Sequence, residues 1–209
     1  MRPVAMPAFL LLAVCLSGCG DEHRPETEEA QVPDDIELEV SDPPIYIRQP
    51  GGHDFRLFDT ERNEVRLSEQ QGKICMVTFF YRSCPDQTMC PALLGKINQV
   101  ARGLPADVRA MTEIFAISFD PQNDTPEALA LFAEARELEF TLLTGHPDSI
   151  REVARNNFGL EYRAEGPALF AHNMKTFLFD GEGELFETIT GSDWKSEDVV
   201  ARITEHAER

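Results

Sequence analysis

The sequence predicts an α/β fold, because segments with strand and helix patterns alternate along most of the chain. Two continuous apolar runs, residues 74–81 and 113–119, have the composition of strands that are covered on both faces. A helical pattern over residues 92–103 follows the first run, and a second one begins at Pro126, with Thr125 as its predicted cap. This alternation is the one expected when helices pack on a largely parallel sheet.

Shorter patterns extend this core toward both ends of the chain. Residues 55–59 and 64–67 alternate apolar with polar side chains around a short polar turn, which predicts an amino-terminal β-hairpin. Residues 140–143 predict a further strand, and residues 148–158 predict a helix that Gly159 ends.

A second hairpin and a helix are predicted to close the chain. Strand patterns over residues 175–180 and 184–189 flank the segment from Gly181 to Gly183, which is typical of a tight hairpin turn. Residues 196–206 predict a final helix with Ser196 as its N-cap.

Length and charge limit the classes of protein that the chain can represent. Its 209 residues leave room for one sizeable domain plus a tail. The net charge is −18, and the segment from Asp21 to Asp42 holds ten carboxylates against one arginine. Nucleic-acid binding needs a basic face, so this charge argues against a nucleic-acid partner.

The first residues resemble a bacterial lipoprotein signal. Arg2 precedes the apolar run 8–16, which is too short to span a bilayer, since that takes about 20 apolar residues. The segment Leu16-Ser-Gly-Cys19 resembles a lipobox, and the resemblance implies that Cys19 becomes the lipid-bearing amino terminus. We therefore predict a signal peptide over residues 1–18, a lipid-anchored acidic disordered tether over 19–44, and a folded domain over 45–209. This organisation places the domain at the cell membrane, facing the periplasm or another extracytoplasmic space.

Two cysteines lie where the first core strand turns into a helix. Cys84 and Cys90 begin and end the segment that we call the cysteine loop (residues 84–90), and Pro91 follows it. A helix N-terminus carries a partial positive charge that favours thiolate, so we expect reactive thiols here. Residues six positions apart on an ideal helix differ by about 240° in direction and about 9 Å in rise, so the segment must bend to bring the sulfurs together.

A bent cysteine loop is compatible with three chemical roles. Cys84 and Cys90 could form a structural disulfide, act as a redox pair, or bind a soft metal ion such as Cu(I). A metal site requires further ligands, and imidazole is a suitable one for copper. The choice among the three roles therefore depends on which histidine is close.

His172 is the histidine that we predict to complete a site. His23 and His206 are expected to be solvated, His53 precedes the amino-terminal hairpin, and His146 lies in a turn. A cysteine motif after the first core strand of an α/β alternation predicts a thioredoxin-like fold with an N-terminal β-hairpin extension. In such a sheet, the loop that carries His172 lies beside the cysteine loop.

Several of these segments resemble the Sco/SenC family of membrane-tethered copper-binding proteins. The resemblance covers about residues 50–207 and includes the Ser-Phe-Asp-Pro and Asp-Thr-Pro sequences within 117–126. The other matching segments are residues 72–86, Cys90 with Pro91, residues 143–145, His172 and residues 177–183. The best-known members carry three residues between the two cysteines, whereas five intervene in this chain.

The resemblance implies a copper site made by Cys84, Cys90 and His172. It also implies a function in maturing the dinuclear copper site of cytochrome c oxidase, either by delivering copper or by reducing the cysteines of that site. The expected partner is the copper-bearing oxidase subunit or another cuproprotein. The alternative that remains is an extracytoplasmic thiol–disulfide oxidoreductase using Cys84 and Cys90, which would be an enzyme. A peroxidase of the peroxiredoxin type is a distant third.

Neighbouring residues have both functional and structural interpretations. Asp120 and Asp124 are candidates to orient His172, although turn formation is the expected role of both. Met89 could add a thioether ligand, but packing is favoured.

Three further residues near the cysteine loop have structural interpretations. Cys75, in the strand before the loop, is predicted to be a small apolar residue of the core. Arg82 and Asp86 are predicted to be exposed loop charges.

Overall fold

The computed structural model describes residues 53–166 and 169–208 of the chain. The predicted signal peptide, Cys19, the tether and His23 lie outside the described residues. Across the described residues, no helix has both the length and the apolar composition that a membrane crossing needs.

Strands and helices alternate through the described residues as the sequence predicts. The strands are β1 (Arg56–Phe58), β2 (Glu64–Arg66), β3 (Ile74–Phe80), β4 (Thr112–Ser118), β5 (Thr141–Leu143), β6 (Tyr162–Gly166), β7 (Leu169–His172), β8 (Lys175–Phe179) and β9 (Leu185–Thr190). The helices are α1 (Cys90–Gly103), α2 (Ala106–Ala110), α3 (Pro126–Ala135), α4 (Pro147–Glu152) and α5 (Ser196–Ala207). A 3₁₀ turn occupies Leu67–Glu69, and a π-helical turn occupies Val153–Asn157.

The central sheet of the described chain has the strand order β5-β4-β3-β8-β9. Strand β3 pairs in parallel with β4 and antiparallel with β8, and β4 pairs in parallel with β5. The carboxyl ends of β3, β4 and β5 therefore meet at one edge of the sheet. Ligand sites of open α/β sheets form at this edge, and the cysteine loop begins there.

Both faces of β3 are covered, as its continuous apolar sequence predicts. All seven residues of the strand are buried. Val77 and Phe79 belong to one core cluster and Met76 to a second one, which also contains residues of α1 and α5. The period of two along a strand sends these alternate side chains to opposite faces.

Both predicted hairpins are confirmed. Strands β1 and β2 pair antiparallel, and Phe58 is joined to Thr144 by a bridge that links the hairpin to the end of β5. Strands β8 and β9 also pair antiparallel, and Gly183 adopts a φ of +84° in the turn between them. Glycine is the residue that reaches this conformation without steric cost.

Helix starts show one correct and one wrong prediction. The Thr125 side chain accepts a hydrogen bond from Ala128 N at 3.3 Å, so it caps α3 as expected. Ser196 does not cap α5, because the N-cap is Lys195. The Ser196 hydroxyl is instead paired with Gln99 of α1 at 2.8 Å, which ties the two helices together.

The predicted helix over residues 148–158 divides in two. Helix α4 starts at Pro147 and ends at Glu152, and the π-helical turn continues it. Gly159 follows with a φ of +57°, as expected of a residue that ends a helix.

The sequence patterns missed helix α2 and the hairpin of β6 and β7. These two strands pair antiparallel outside the central sheet, with Tyr162 opposite His172. His172 was predicted to lie in a loop, and that placement is wrong because it is the last residue of β7. The hairpin fixes the position of the imidazole more firmly than a loop would.

Candidate metal centre

The two cysteines of the loop are buried and reduced in this structure. Cys84 follows the end of β3 and is 6% exposed, and Cys90 is the first residue of α1 and is 1% exposed. Both are free thiols. Residues 85–88 between them are exposed, so the polar part of the cysteine loop faces solvent while its sulfurs face the protein.

Cys90 lies close to both other predicted ligands. Its Sγ lies 3.5 Å from Nε2 of His172. Cys84 belongs to the same buried cluster and is near enough to influence the Cys90 thiol electrostatically. The three residues that the resemblance names therefore lie together at the carboxyl edge of the sheet.

Burial determines the protonation of Cys90. Desolvation raises the pKa of this thiol to about 12, with a smaller contribution from the nearby Cys84, against the effect of the backbone N–H groups of Tyr81 and Cys90. The sequence had favoured thiolate here because of the helix N-terminus, and the raised pKa of the buried thiol contradicts this expectation. The loss of water around the sulfur outweighs the helix dipole.

The imidazole of His172 is oriented by the backbone of the next residue. Its Nδ1 lies 3.1 Å from the carbonyl oxygen of Asn173. A carbonyl can only accept, so Nδ1 carries the proton and Nε2 of the neutral ring presents its lone pair toward Cys90. Burial lowers the pKa of His172, which favours this neutral form.

Aromatic rings surround the imidazole on its protein side. The ring centroid of Phe119 lies 4.8 Å from that of His172, and the centroid of Tyr81 lies 6.0 Å away in an edge-on arrangement. Phe170 packs against both rings at 5.2–5.3 Å, and Tyr162 stacks on Phe119 at 5.3 Å. This shell excludes water from one side of the site.

A buried carboxylate connects the strand end before the cysteine loop to the turn between β4 and α3. Asp124 has a fully buried side chain and accepts hydrogen bonds from Arg82 N at 2.9 Å and from the Ser118 hydroxyl at 2.5 Å. It also pairs with Arg82 Nε at 3.2 Å. Arg82 was predicted to be an exposed loop charge, and this is wrong. No local pattern indicates the pair, because its members are 42 residues apart.

The two aspartates do not orient His172. Asp120 accepts hydrogen bonds from the Asn123 side chain at 2.9 and 3.0 Å, and its carbonyl accepts from Asp124 N at 2.8 Å. Turn formation, the role that the sequence favoured, is therefore confirmed for both. Asp86 is exposed as predicted and accepts from Thr88.

The remaining sulfur residues are part of the core. Cys75 is 2% exposed, and burial together with the charge of Glu113 raises the pKa of its thiol to about 12. Met89 is partly buried against the core cluster that contains both loop cysteines. The packing roles favoured for Cys75 and Met89 are thus confirmed.

The other described histidines lie away from the site. His53 packs against Phe158 at 5.3 Å between ring centroids, and His146 caps α4 by accepting from Asp148 N. His206 was expected to be solvated, but its ring stacks on that of Phe186 at 4.0 Å.

The three predicted ligands are not arranged as a coordination sphere. Within residues 53–166 and 169–208, no three His, Cys, Asp or Glu side chains are already placed to hold an ion. The Cys84 sulfur lies 3.7 Å from the carbonyl of Asp86, inside its own loop. A shift of Cys84 toward the Cys90 and His172 pair would be needed to bring three donors to one point.

Fold and site together define a class: an α/β domain of thioredoxin-like architecture with paired thiols and an imidazole at the carboxyl edge of its sheet. The model of the SCO1/SenC family matches residues 46–208. The chain belongs to the SCO1/SenC family.

Curated relatives agree with this assignment. The chain is 28% identical to an SCO2-like protein of Rickettsia typhi over 138 residues, which are 64% of this chain and 66% of that protein. It is 27% identical to the SCO1 protein homolog of Bacillus subtilis over 174 residues, which are 79% of this chain and 85% of the homolog. The match thus spans about two thirds of the length of the Rickettsia protein.

Solved structures show the same fold. Apo Sco1 of Thermus thermophilus is 30% identical, with a TM-score of 0.63 over 75% of this chain and 92% of that one. Copper-bound ScoI of Bradyrhizobium japonicum has a TM-score of 0.65 at 22% identity, covering 75% and 99%. BsSco, described as a member of the Sco family of cytochrome c oxidase assembly proteins, has a TM-score of 0.64 at 21% identity, covering 75% and 93%. At identities this low, the last two likenesses show the fold alone.

Proposed function

We propose that this protein is a copper metallochaperone that binds one copper ion through Cys84, Cys90 and His172. Its target in this proposal is the dinuclear copper site of cytochrome c oxidase. The observation that carries the proposal is the distance of 3.5 Å between Cys90 Sγ and His172 Nε2. Family membership and the copper and oxidase-assembly descriptions of relatives support it.

The spacing of the donor atoms suits a shared ion. Bonds of about 2.0–2.3 Å, the lengths found at zinc–histidine and zinc–thiolate sites, would separate two ligands of one ion by roughly 3.5–3.9 Å. The observed sulfur-to-nitrogen distance of 3.5 Å is at the lower end of this range. A small adjustment of Cys90 and His172 would therefore admit an ion between them.

The chemistry of the donors favours copper. Two thiolates are soft ligands that select Cu(I), and an imidazole suits both copper oxidation states. Nε2 of His172 already presents a lone pair, so the ring needs no change of tautomer. Both thiols must lose their protons on binding, and a Cys84–Cys90 disulfide would remove the thiolates, so binding would depend on the dithiol form.

The proposed location is a membrane surface, through a lipid on Cys19. Several acyl chains anchor stably, because each buried methylene contributes about 0.8 kcal/mol. The tether over residues 19–44 would let the domain reach a membrane-embedded partner.

Copper titration of the reduced protein tests the site. We expect one equivalent of Cu(I) for the wild type and none for the Cys84→Ser/Cys90→Ser double variant. Cys75→Ser is the matched control, because Cys75 is a buried thiol of the same core but is not a proposed ligand. This variant should bind one equivalent of Cu(I). Equal uptake by the double variant would rule out the site.

The assignment of the target needs a cellular measurement. In cells that lack the protein, we expect cytochrome c oxidase to be assembled with less copper and lower activity. Wild-type protein should restore both, and the double variant should not. Oxidase with its full copper content in cells without the protein would contradict the chaperone function while leaving the copper site intact.

A further inference from the structure

The hairpin of β6 and β7 ends in a pair of opposite residues, Glu161 before β6 and Asn173 after β7. Tyr162 pairs with His172 in this hairpin, so Glu161 and Asn173 are the next residues that face each other. Opposite residues of an antiparallel pair alternate between positions that exchange two backbone hydrogen bonds and positions that exchange none. Asn173 N donates to the Glu161 carbonyl oxygen at 3.2 Å, so this position is of the first kind.

A side-chain bond replaces the second backbone bond of this pair. Glu161 N donates to Oδ1 of Asn173 at 3.1 Å instead of to the main-chain carbonyl of Asn173. A backbone N–H can only donate, so the oxygen of the amide, and not its nitrogen, faces Glu161. The main-chain carbonyl of Asn173 is thereby left for Nδ1 of His172, which lies 3.1 Å from its oxygen.

We propose that Asn173 is a positioning residue of the copper site, and that its side chain frees its own carbonyl to hold the proton of His172 on Nδ1. This inference rests on the proposed copper function. A proton held on Nδ1 leaves the lone pair on Nε2, and Nε2 is the atom that lies 3.5 Å from Cys90 Sγ. Partners that fix the tautomer and the ring orientation of a ligating histidine strengthen metal binding.

Loss of the Asn173 amide should return the carbonyl to the hairpin. In Asn173→Ala, the N–H of Glu161 has no side-chain acceptor at this position. The acceptor that the strand pattern offers instead is the main-chain carbonyl of residue 173. That carbonyl then turns away from the imidazole, and the neutral ring is free to carry its proton on Nε2, where the proton opposes metal binding.

Three variants separate this role from a general effect on the fold. Asn173→Ala removes the acceptor, whereas Asn173→Asp keeps an acceptor oxygen in the same place. Asn157→Ala is the matched control. Asn157 is also partly buried, and its side chain also bonds to a backbone group, the Asp54 carbonyl at 2.7 Å. Neither Asn157 nor Asp54 is next to a proposed ligand in the chain.

The test uses the full-length, reduced protein in two measurements. Long-range ¹H–¹⁵N correlation spectra of the metal-free protein, labelled with ¹⁵N at histidine, show which ring nitrogen of His172 carries the proton. The spectrum of His172→Ala assigns the signals, and a mildly alkaline pH keeps the ring neutral. Competition with a chromophoric chelator then measures the affinity of each protein for Cu(I).

We expect the two measurements to change together. In Asn173→Ala, the His172 proton should move to Nε2, and the affinity for Cu(I) should fall by about 10- to 100-fold, as it does when outer partners of metal ligands are lost. The wild type, Asn173→Asp and Asn157→Ala should keep the proton on Nδ1 and should bind Cu(I) without this loss.

The outcomes distinguish this inference from the proposed function. An Nδ1 proton in Asn173→Ala, or a wild-type Cu(I) affinity of that variant, would overturn the inference and leave the copper function standing. An Nε2 proton in Asn173→Asp would also overturn it, because the acceptor oxygen would then not decide the tautomer. A wild-type protein that binds no copper would instead contradict the proposed function, and the metal-free spectra would still show whether Asn173 sets the tautomer.

Discussion

Asp124 accepts a hydrogen bond from the backbone N–H of Arg82 at 2.9 Å, and this contact joins the turn before α3 to the strand end that leads into Cys84. The same carboxylate accepts from the Ser118 hydroxyl and pairs with the Arg82 side chain. The carboxylate is fully buried, whereas the Arg82 side chain is 35% exposed. The pair of Arg82 and Asp124 therefore holds in place the backbone that leads from β3 into the cysteine loop.

We predict that Asp124→Ala destabilises the fold. The change leaves the N–H of Arg82 and the hydroxyl of Ser118 without their acceptor, which costs about 1–3 kcal/mol. Urea unfolding of the reduced, metal-free protein measures this loss. Glu127→Ala is the control, because its pair with Arg62 is 62–68% exposed and an exposed pair adds little to stability. Equal stability of the two variants would contradict the structural role of Asp124.

Stability should fall as the pH rises above 9, in part because of Cys75. Burial raises the pKa of this thiol to about 12 in the folded protein, from an ordinary value of 9.0. A raised folded-state pKa gives stability that is complete below the unfolded pKa and is lost as the pH rises toward the folded pKa. We expect Cys75 to contribute a loss of at most about 1.4 kcal/mol for each pH unit in this window.

Cys75→Ala isolates that contribution to the pH dependence. The substitution removes the titrating group, so the free energy of unfolding should decline less steeply between pH 9 and 11 than it does in the wild type. The comparison uses the slope with pH, because the smaller side chain also changes the absolute stability. Parallel curves for the two proteins would show that Cys75 does not titrate as its burial requires.

The lipid anchor can be tested with two cysteines of the predicted leader. Cys19→Ala should prevent acylation, because acylation needs the Cys19 sulfur. The protein should then leave the membrane fraction or keep its signal peptide uncleaved. Cys15→Ala should leave it in the membrane, since Cys15 lies within the predicted signal peptide that is removed. Mass spectrometry of the mature amino terminus gives the direct measurement. An unmodified amino terminus in wild-type protein would contradict the anchor.

Features with strong local patterns were predictable from the sequence. The continuous apolar runs predicted β3 and β4 to within one residue at each end, because strands that are buried on both faces need apolar residues throughout. Thr125 and Pro126 gave the start of α3, since capping is determined by neighbouring residues. Pro91 indicated that the helix boundary lies near Cys90, and α1 begins at Cys90.

Features that depend on distant partners were not predictable. Ser196 has the composition of a cap, but Gln99 of another helix takes its hydroxyl. Arg82 has the sequence context of a surface charge, but in the folded protein it pairs with the buried Asp124. The pKa of Cys90 follows the burial of the sulfur, which no local pattern encodes.

The hairpin that positions His172 had a usable signal that was missed. Gly166 and Pro167 interrupt the chain between two short segments that contain Tyr162 and Phe170, and such pairs of residues mark turns. Helix α2, with its five residues, is too short to show a helical period. Orientation of the imidazole by the Asn173 carbonyl is a backbone interaction, so the identity of the residue does not reveal it.

X-ray absorption spectroscopy of the Cu(I)-loaded protein tests the central claim most directly, because it counts the sulfur and nitrogen neighbours of the metal. The account predicts two sulfur donors and one nitrogen donor in the wild type, and loss of the nitrogen donor in His172→Ala, with His146→Ala unchanged. A copper environment that is identical in wild type and His172→Ala, or one without two sulfur donors, would contradict the proposed site.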